Sequence, residues 1–373
     1  MQFRFAGFAA LTICIALCLP IALQAQTPIK LGMSAPFSGP AAMLGQQFSD
    51  GANLVFTAQN AQGGIGGRQI QLLTADDGYE PLRTVENTRN FLLNQHVFAL
   101  FGYVGTPTSA AVLPLLRKHQ LPYLAPFSGA DILRQPDDAF IYNFRASYRE
   151  EAATQIRYLI DKRQYQRVAL LIQADEFGAS VEQWFKAELS KRRLAPVGIV
   201  RFQRNSSDMH AAVTQLQDAK PDVVLTVGTY LPLAQAIQLG QSRDFNPVYS
   251  VVSFTGIQQL QQLLQPPFQI YVSMVVPDPN DLSSTLVQAF HKVTASERAQ
   301  RSDISLEGFA AASLLVSALK KCTHNLSREC LLQQLPKQQL YNFPLHYQQA
   351  SHQASQQIFL YQLKKDGLHK TEF

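Results

Sequence analysis

Cys322 and Cys330 stand eight positions apart in Cys-Thr-His-Asn-Leu-Ser-Arg-Glu-Cys, and two chemistries suit that spacing. In an oxidising compartment, two neighbouring cysteines form one disulfide. With His324 between them they also offer metal ligands, but a fourth ligand and the Cys-x-x-Cys pairing of structural zinc are both missing. The second pattern is Gly63-Gly64-Ile65-Gly66-Gly67. A dinucleotide loop starting at Gly64-x-Gly66 needs glycine at 69, where this chain has Gln69, and it follows a strand, whereas this cluster follows a helical stretch and precedes a strand. It reads as a turn. There is no Gly-x-Ser-x-Gly elbow, no Gly-x-x-x-x-Gly-Lys-Ser/Thr loop and no His-Glu-x-x-His pair, each of which carries a recognisable chemistry. The eight histidines, at 96, 119, 210, 291, 324, 346, 352 and 369, are scattered. No nucleophile stands beside a base, so the residues point away from an enzyme and ask for no cofactor.

The elements that would position any site follow from the apolar pattern. The chain has 373 residues, 46% of them hydrophobic and 16% charged, which excludes disorder and, at about 150 residues per domain, predicts two domains. Its net charge of +5 is spread without a basic stripe, so nothing asks for nucleic acid. Short β-branched runs at 29–33, 70–73, 97–101, 168–172, 223–227 and 248–252 read as buried strands. Stretches with helical spacing lie between or beside them at 41–60, 81–94, 109–119, 150–162, 181–193, 209–216 and 233–242. That alternation predicts parallel sheets with helices on both faces. The segment 305–320 is apolar nearly all round and reads as a buried helix. The mainly helical stretch 280–338 has too few strands for a sheet of its own, so it must complete an earlier layer.

The first 25 residues form a separate unit. Arg4 precedes an apolar run from Phe5 to Leu19, then Pro20 and a small-residue exit at Ala25, the pattern of a secretory signal peptide cleaved near Ala25. The run is short for a membrane span of about 20 residues. Leu17 stands where a lipoprotein signal before Cys18 would place a small residue, which favours export as a soluble periplasmic protein.

Ile29-Lys-Leu-Gly-Met-Ser-Ala-Pro-Phe-Ser-Gly-Pro40, then Gly45, Gly51-Ala52 and Gln62-Gly-Gly-Ile-Gly-Gly-Arg68, resembles the opening of the periplasmic branched-chain amino-acid-binding family of ABC-transporter receptors. Asp76-Asp77, the turn from Phe101-Gly102 to Ser109, Leu121-Pro-Tyr-Leu-Ala-Pro126, Asn143-Phe-Arg145 and Asp175-Glu-Phe-Gly178 follow in family order. The resemblance implies an α/β fold of two Rossmann-like lobes with parallel-sheet cores and three hinge crossovers. One lobe would comprise 26–145 plus 277–342, the other 146–276 plus 343–373, with crossovers near 144–148, 274–279 and 340–347. It further implies a monomeric receptor that closes on a small molecule and delivers it to the permease subunits of an ABC importer; a membrane sensor reading the same closure is the alternative.

Ligands of open α/β sheets bind beyond the carboxyl ends of the strands, where helix N-termini leave N–H groups facing an anion. Three first-lobe loops lie there: Ser38-Gly39-Pro40, Tyr103 to Ser109, and Phe127-Ser128-Gly129-Ala130. Gly105 and Gly129 let a carboxylate approach the backbone and the hydroxyls of Thr106 and Ser128 donate to it; the same residues equally serve as helix caps. By resemblance, Leu44 and Tyr103 join this side, while Phe177, Tyr230 and Phe254 wall the cleft from the second lobe. Amino-acid receptors of the family place a carboxylate against the ligand's ammonium near 253–255, where this chain has Ser253-Phe254-Thr255. They often have serine where Gly105 stands and an aromatic ring where Leu44 stands. Burying an unpaired ammonium costs several kcal/mol. Either Asp175 or Glu176 takes that role, or the ligand is a carboxylate with an apolar or aromatic body and no amine.

Overall fold

The computed structural model describes residues 27–294 and 301–372; the signal peptide expected at 1–25, with Cys14 and Cys18, lies outside the described residues. Five strands form the first sheet: β1 (Ile29–Ala35), β2 (Ile70–Asp76), β3 (Ala99–Phe101), β4 (Tyr123–Leu124) and β5 (Ile141–Tyr142), in the order β2-β1-β3-β4-β5. Its helices are α1 (Ala42–Ala61), α2 (Pro81–Leu93) and α3 (Thr106–His119). The chain then passes to α4 (Tyr148–Ile156), whose N-terminus carries a capping box made by Ser147 and Glu150. A seven-stranded sheet follows, with β6 (Val168–Gln173), β7 (Gly198–Phe202), β8 (Val223–Val227), β9 (Val248–Val251) and β10 (Ile270–Met274) all parallel. Between these strands run α5 (Glu176–Lys191), α6 (His210–Ala219), α7 (Tyr230–Gln241) and α8 (Ile257–Leu263).

After β10 the chain returns to the first lobe as α9 (Thr285–Thr294), α10 (Asp303–Lys321) and α11 (Arg328–Gln334). The packing of α10 on α1 explains why 280–338 needs no sheet. A Cβ on Gly308 would lie 2.2 Å from the Phe48 carbonyl oxygen and one on Gly51 1.9 Å from that of Ser305, so glycine at both positions lets the helix backbones meet. Ser302, the N-cap of α10, also donates to Gln47 of α1 at 2.8 Å. A third passage leads to β11 (Phe359–Lys364) and β12 (Gly367–Lys370), completing the order β12-β11-β10-β9-β8-β6-β7. On this last passage Asn143 receives its backbone hydrogen bond from Ala354 and donates to His352, which ties the first and third connections together.

Each expected strand run lies within or overlaps an observed strand. The expected parallel cores are present in both sheets, and the C-terminal hairpin adds to the second an antiparallel edge, β11 on β10 and β12 on β11. Helix α5 begins at Glu176 rather than 181, since the Asp175 carboxylate caps it by accepting from Phe177 and Gly178 N–H groups. Cys322 and Cys330 are joined in a disulfide at the end of α10, and among the described residues no cluster of metal-ligating side chains is found.

Candidate functional site

The two first-lobe loops after β3 and β4 are locked edge to edge: Phe127 N–H donates to the Tyr103 carbonyl at 2.8 Å and Gly105 N–H to the Phe127 carbonyl at 3.2 Å. This sets Thr106, the first residue of α3, beside Ser128, with their hydroxyls 2.8 Å apart. Gly105 sits at φ +107°, and a Cβ there would fall 2.2 Å from the Tyr79 ring, so both its backbone angle and its neighbour demand glycine. The Gly129 carbonyl accepts from Tyr148 N–H at 2.8 Å, bringing the start of α4 over the same loop.

Rings from both lobes converge on this point. Phe177, at the start of α5, lies 4.5 Å from Phe254, which follows β9; Phe254 is 5.3 Å from Phe127 and 6.0 Å from Tyr79, and Tyr148 is 5.5 Å from Phe177, all between ring centroids. All five side chains are fully buried. Leu44 and Tyr230 lie at a second stretch of the seam, both against Gly256, and the Tyr230 oxygen accepts from Met43 N–H of the first lobe at 3.4 Å. Tyr103 does not join the cleft. Its hydroxyl bonds to Thr88 at 2.9 Å and its ring stands edge-on to Tyr123, because the side chain projects under α2 into the first-lobe core. Only its carbonyl serves the cleft loops.

Three residues that the strand-end argument did not single out complete the site: Tyr79, Arg145 and Tyr148. Arg145 follows β5 and is buried with its guanidinium 4.2 Å above the Phe127 ring. Its Nε lies 3.0 Å from Glu307 of α10, and Nη2 donates to Glu307 at 3.1 Å and to the Ser253 hydroxyl at 2.9 Å. Ser253 in turn donates through N–H and hydroxyl to Glu151, each at 2.8 Å. One arginine thus connects the first lobe, a crossover and the loop after β9. Burial pushes the Glu307 carboxyl up to about 7 and Glu151 upward as well, against the pull of Arg145. Burial lowers Arg145, but its carboxylate neighbours more than offset this and hold it above its ordinary value. The Arg145 Nη1 and the Tyr148 hydroxyl have no hydrogen-bond partner among the described residues. Burial raises the Tyr148 phenol to about 12, so it remains a proton donor.

The carboxylates around the cage are already engaged. Glu307 pairs with Arg145 and Glu151 accepts from Ser253 and Ser273. Asp77 accepts from Ser34 and Thr84. Asp175, besides capping α5, accepts from Gln173 at 2.7 Å and Arg204 at 3.4 Å, while Glu176 is exposed. The arrangement therefore presents converging hydroxyls, the uncommitted Arg145 Nη1, the N-terminus of α3 and an aromatic wall, and the carboxylates named are all engaged.

The sequence profile of a family described as "Periplasmic binding protein" matches residues 28–368. The "Leu/Ile/Val-binding protein homolog 3" of Brucella melitensis is 24% identical over 213 residues, which cover 57% of this chain and 58% of that protein. The "Leu/Ile/Val-binding protein BraC3" of Rhizobium johnstonii is 26% identical over 222 residues, 60% of each chain. The chain thus spans under two thirds of the length of these curated relatives. A solved structure described as a "possible leucine/isoleucine/valine-binding protein", from Rhodopirellula baltica, superposes with a TM-score of 0.87 at 28% identity and covers 93% of this chain and 97% of that one. No helix among the described residues is long and apolar enough to cross a membrane.

Proposed function

The chain belongs to the periplasmic binding protein family, and from that premise we propose that it is an extracytoplasmic receptor that closes on a small carboxylate with an apolar or aromatic body and delivers it to an ABC importer. Family members are ligand-binding proteins, not enzymes. The observation that carries the choice of ligand is the pair of uncommitted buried donors, Arg145 Nη1 and Tyr148 OH, beside the Thr106 and Ser128 hydroxyls and the Phe127, Phe177 and Phe254 rings. An anion is the partner such donors require, since a buried donor left unpaired costs about 1–3 kcal/mol. An α-amino acid would bring an ammonium into a site whose carboxylates are committed to Arg145, Arg204, serines and a helix cap, and it would sit near two guanidinium groups. Closing on an aromatic acid removes ring and carboxylate from water together, which strengthens the polar contacts and adds about 25 cal/mol per Å² of apolar area buried.

A thermal-shift titration of the purified protein tests this, because a ligand that binds only the folded state raises its melting temperature. Benzoate should raise the Tm, benzamide less, and leucine little or not at all. A Tm that rises with leucine and not with benzoate overturns the assignment of the ligand.

A further inference from the structure

A second polar corner of the cage belongs to the end of β6. Gln173 is buried at 1% exposure. Its Nε2 donates to Asp175 at 2.7 Å and to the Tyr79 hydroxyl at 3.5 Å. A carboxylate accepts only from the amide nitrogen, so Asp175 fixes which way the amide points. Its Oε1 is left buried with no hydrogen-bond partner among the described residues, as is Nε of Arg204, which stands 5.6 Å over the Tyr79 ring. Tyr79 OH accepts from Gln173 and keeps its own proton to donate. One buried acceptor and two buried donors thus meet across the lobes, Tyr79 from the first and Gln173 and Arg204 from the second.

Their distance from the carboxylate donors follows from the strand order. Ser253, which holds Arg145, follows β9, and Gln173 ends β6; β8 lies between them. Two strand spacings of about 4.8 Å put these ends roughly 10 Å apart, so the two polar corners are separate sites along the seam. Phe254 follows the first of these ends and Phe177 the second, with their ring centroids 4.5 Å apart. A hydroxyl both donates and accepts, so it matches Gln173 Oε1 together with Tyr79 OH or Arg204 Nε–H. An ammonium would match Oε1 but face the Arg204 charge.

We propose that Gln173, Tyr79 and Arg204 form a specificity subsite for a ligand hydroxyl carried on the side of the ring opposite the carboxylate, so that the receptor selects hydroxylated aromatic acids. The proposal rests on the aromatic-acid reading of the site. Calorimetric titration with benzoate, 4-hydroxybenzoate and 4-methoxybenzoate tests both, each on its own arm. The wild-type protein should bind 4-hydroxybenzoate about tenfold more tightly than benzoate, as one well-made buried hydrogen bond gives. It should bind 4-methoxybenzoate more weakly than 4-hydroxybenzoate, since the ether has no proton for Gln173. In Gln173→Leu the ratio of hydroxybenzoate to benzoate affinity should fall to about one. Equal binding of the hydroxylated and unsubstituted acids by the wild type overturns the subsite and leaves the aromatic-acid reading standing; binding of none of the three overturns both.

Discussion

Arg145 shows how one side chain can be structural and receptive at once. Nε and Nη2 are committed to Glu307 and Ser253, which positions the guanidinium 4.2 Å over the Phe127 ring and leaves Nη1 as the free edge. Deleting it would strand Glu307 and Glu151, so it is a poor probe of binding. Ser128 is a cleaner one, because its hydroxyl meets Thr106 and the Ala130 N–H rather than a buried charge. Ser128→Ala should weaken benzoate by about 1.4 kcal/mol, or tenfold, and benzamide by about half that energy, since hydrogen bonds to charged groups are the stronger ones. Equal losses for acid and amide in calorimetry would place the carboxylate elsewhere. At this scale the convergence of Phe127, Phe177 and Phe254 was legible, because strand ends of both lobes face the seam between them. Tyr79, Arg145 and Tyr148 were not. Their place depends on a turn with Tyr79 at φ +65° and on the crossover after β5, neither of which a local pattern reveals, and Tyr103 misled because its loop backbone serves the cleft while its ring turns into the core.

Among the elements, α10 carries the heaviest electrostatic load. Its first two turns bury Asp303 and Glu307, with Glu151 of α4 close enough to raise Glu307 further. Burial holds Asp303 at about 6, against the Ile257 N–H of α8, backbone donors at its own helix end and Arg145, and Glu307 at about 7. Both folded values lie above those of the free side chains, so between about pH 4 and 7 the folded state keeps protons that the unfolded chain has released. Stability must then fall as pH rises through that window, by on the order of 3 kcal/mol for Asp303. The groups shifted the other way, such as Asp76 at about 2 and Glu188, act from about pH 4.5 downward. The Tm should therefore drop from pH 5 to pH 7.5, and Asp303→Asn should flatten part of the slope; a Tm that climbs across this range contradicts the assignment. The legibility of the elements follows the same physics. Apolar β-branched runs such as Val-Ala-Leu-Leu-Ile in β6 declare a strand buried on both faces. Strand β7 was unread because exposed Arg201, paired with Glu182 at 2.6 Å, interrupts its run, and β11 and β12 were unread because glutamine and lysine alternate along an edge hairpin.

Across the whole molecule, the lobes meet through the aromatic cage and through polar contacts at its rim. On one side Arg204 and Asn205 reach Glu80 at 2.8 and 2.9 Å. On the other, Trp184 on the outer face of α5 donates to Asp131 of the first lobe at 2.8 Å, with the Arg149 guanidinium 4.9 Å from its ring. Glu80 is half exposed, and such ion pairs contribute about 0–1 kcal/mol each. Rim contacts of that size add little to the buried seam of Arg145, Ser253 and the rings, and on the proposed reading the bound molecule's own burial biases the lobes further toward the closed arrangement. Trp184 is the only tryptophan of the chain, and this turns the seam into a built-in reporter. Ligand-free protein should populate open arrangements in which the indole loses Asp131 and meets water, while saturating benzoate should shift its emission to shorter wavelength. Asp131→Ala should remove much of that shift and weaken benzoate severalfold, leaving the Tm of the free protein nearly unchanged because Asp131 lies at the surface of its lobe. If calorimetry registers binding while the Trp184 emission stays constant, the lobes are already closed without ligand, and selection must then occur by entry into a preformed cage rather than by closure around the acid.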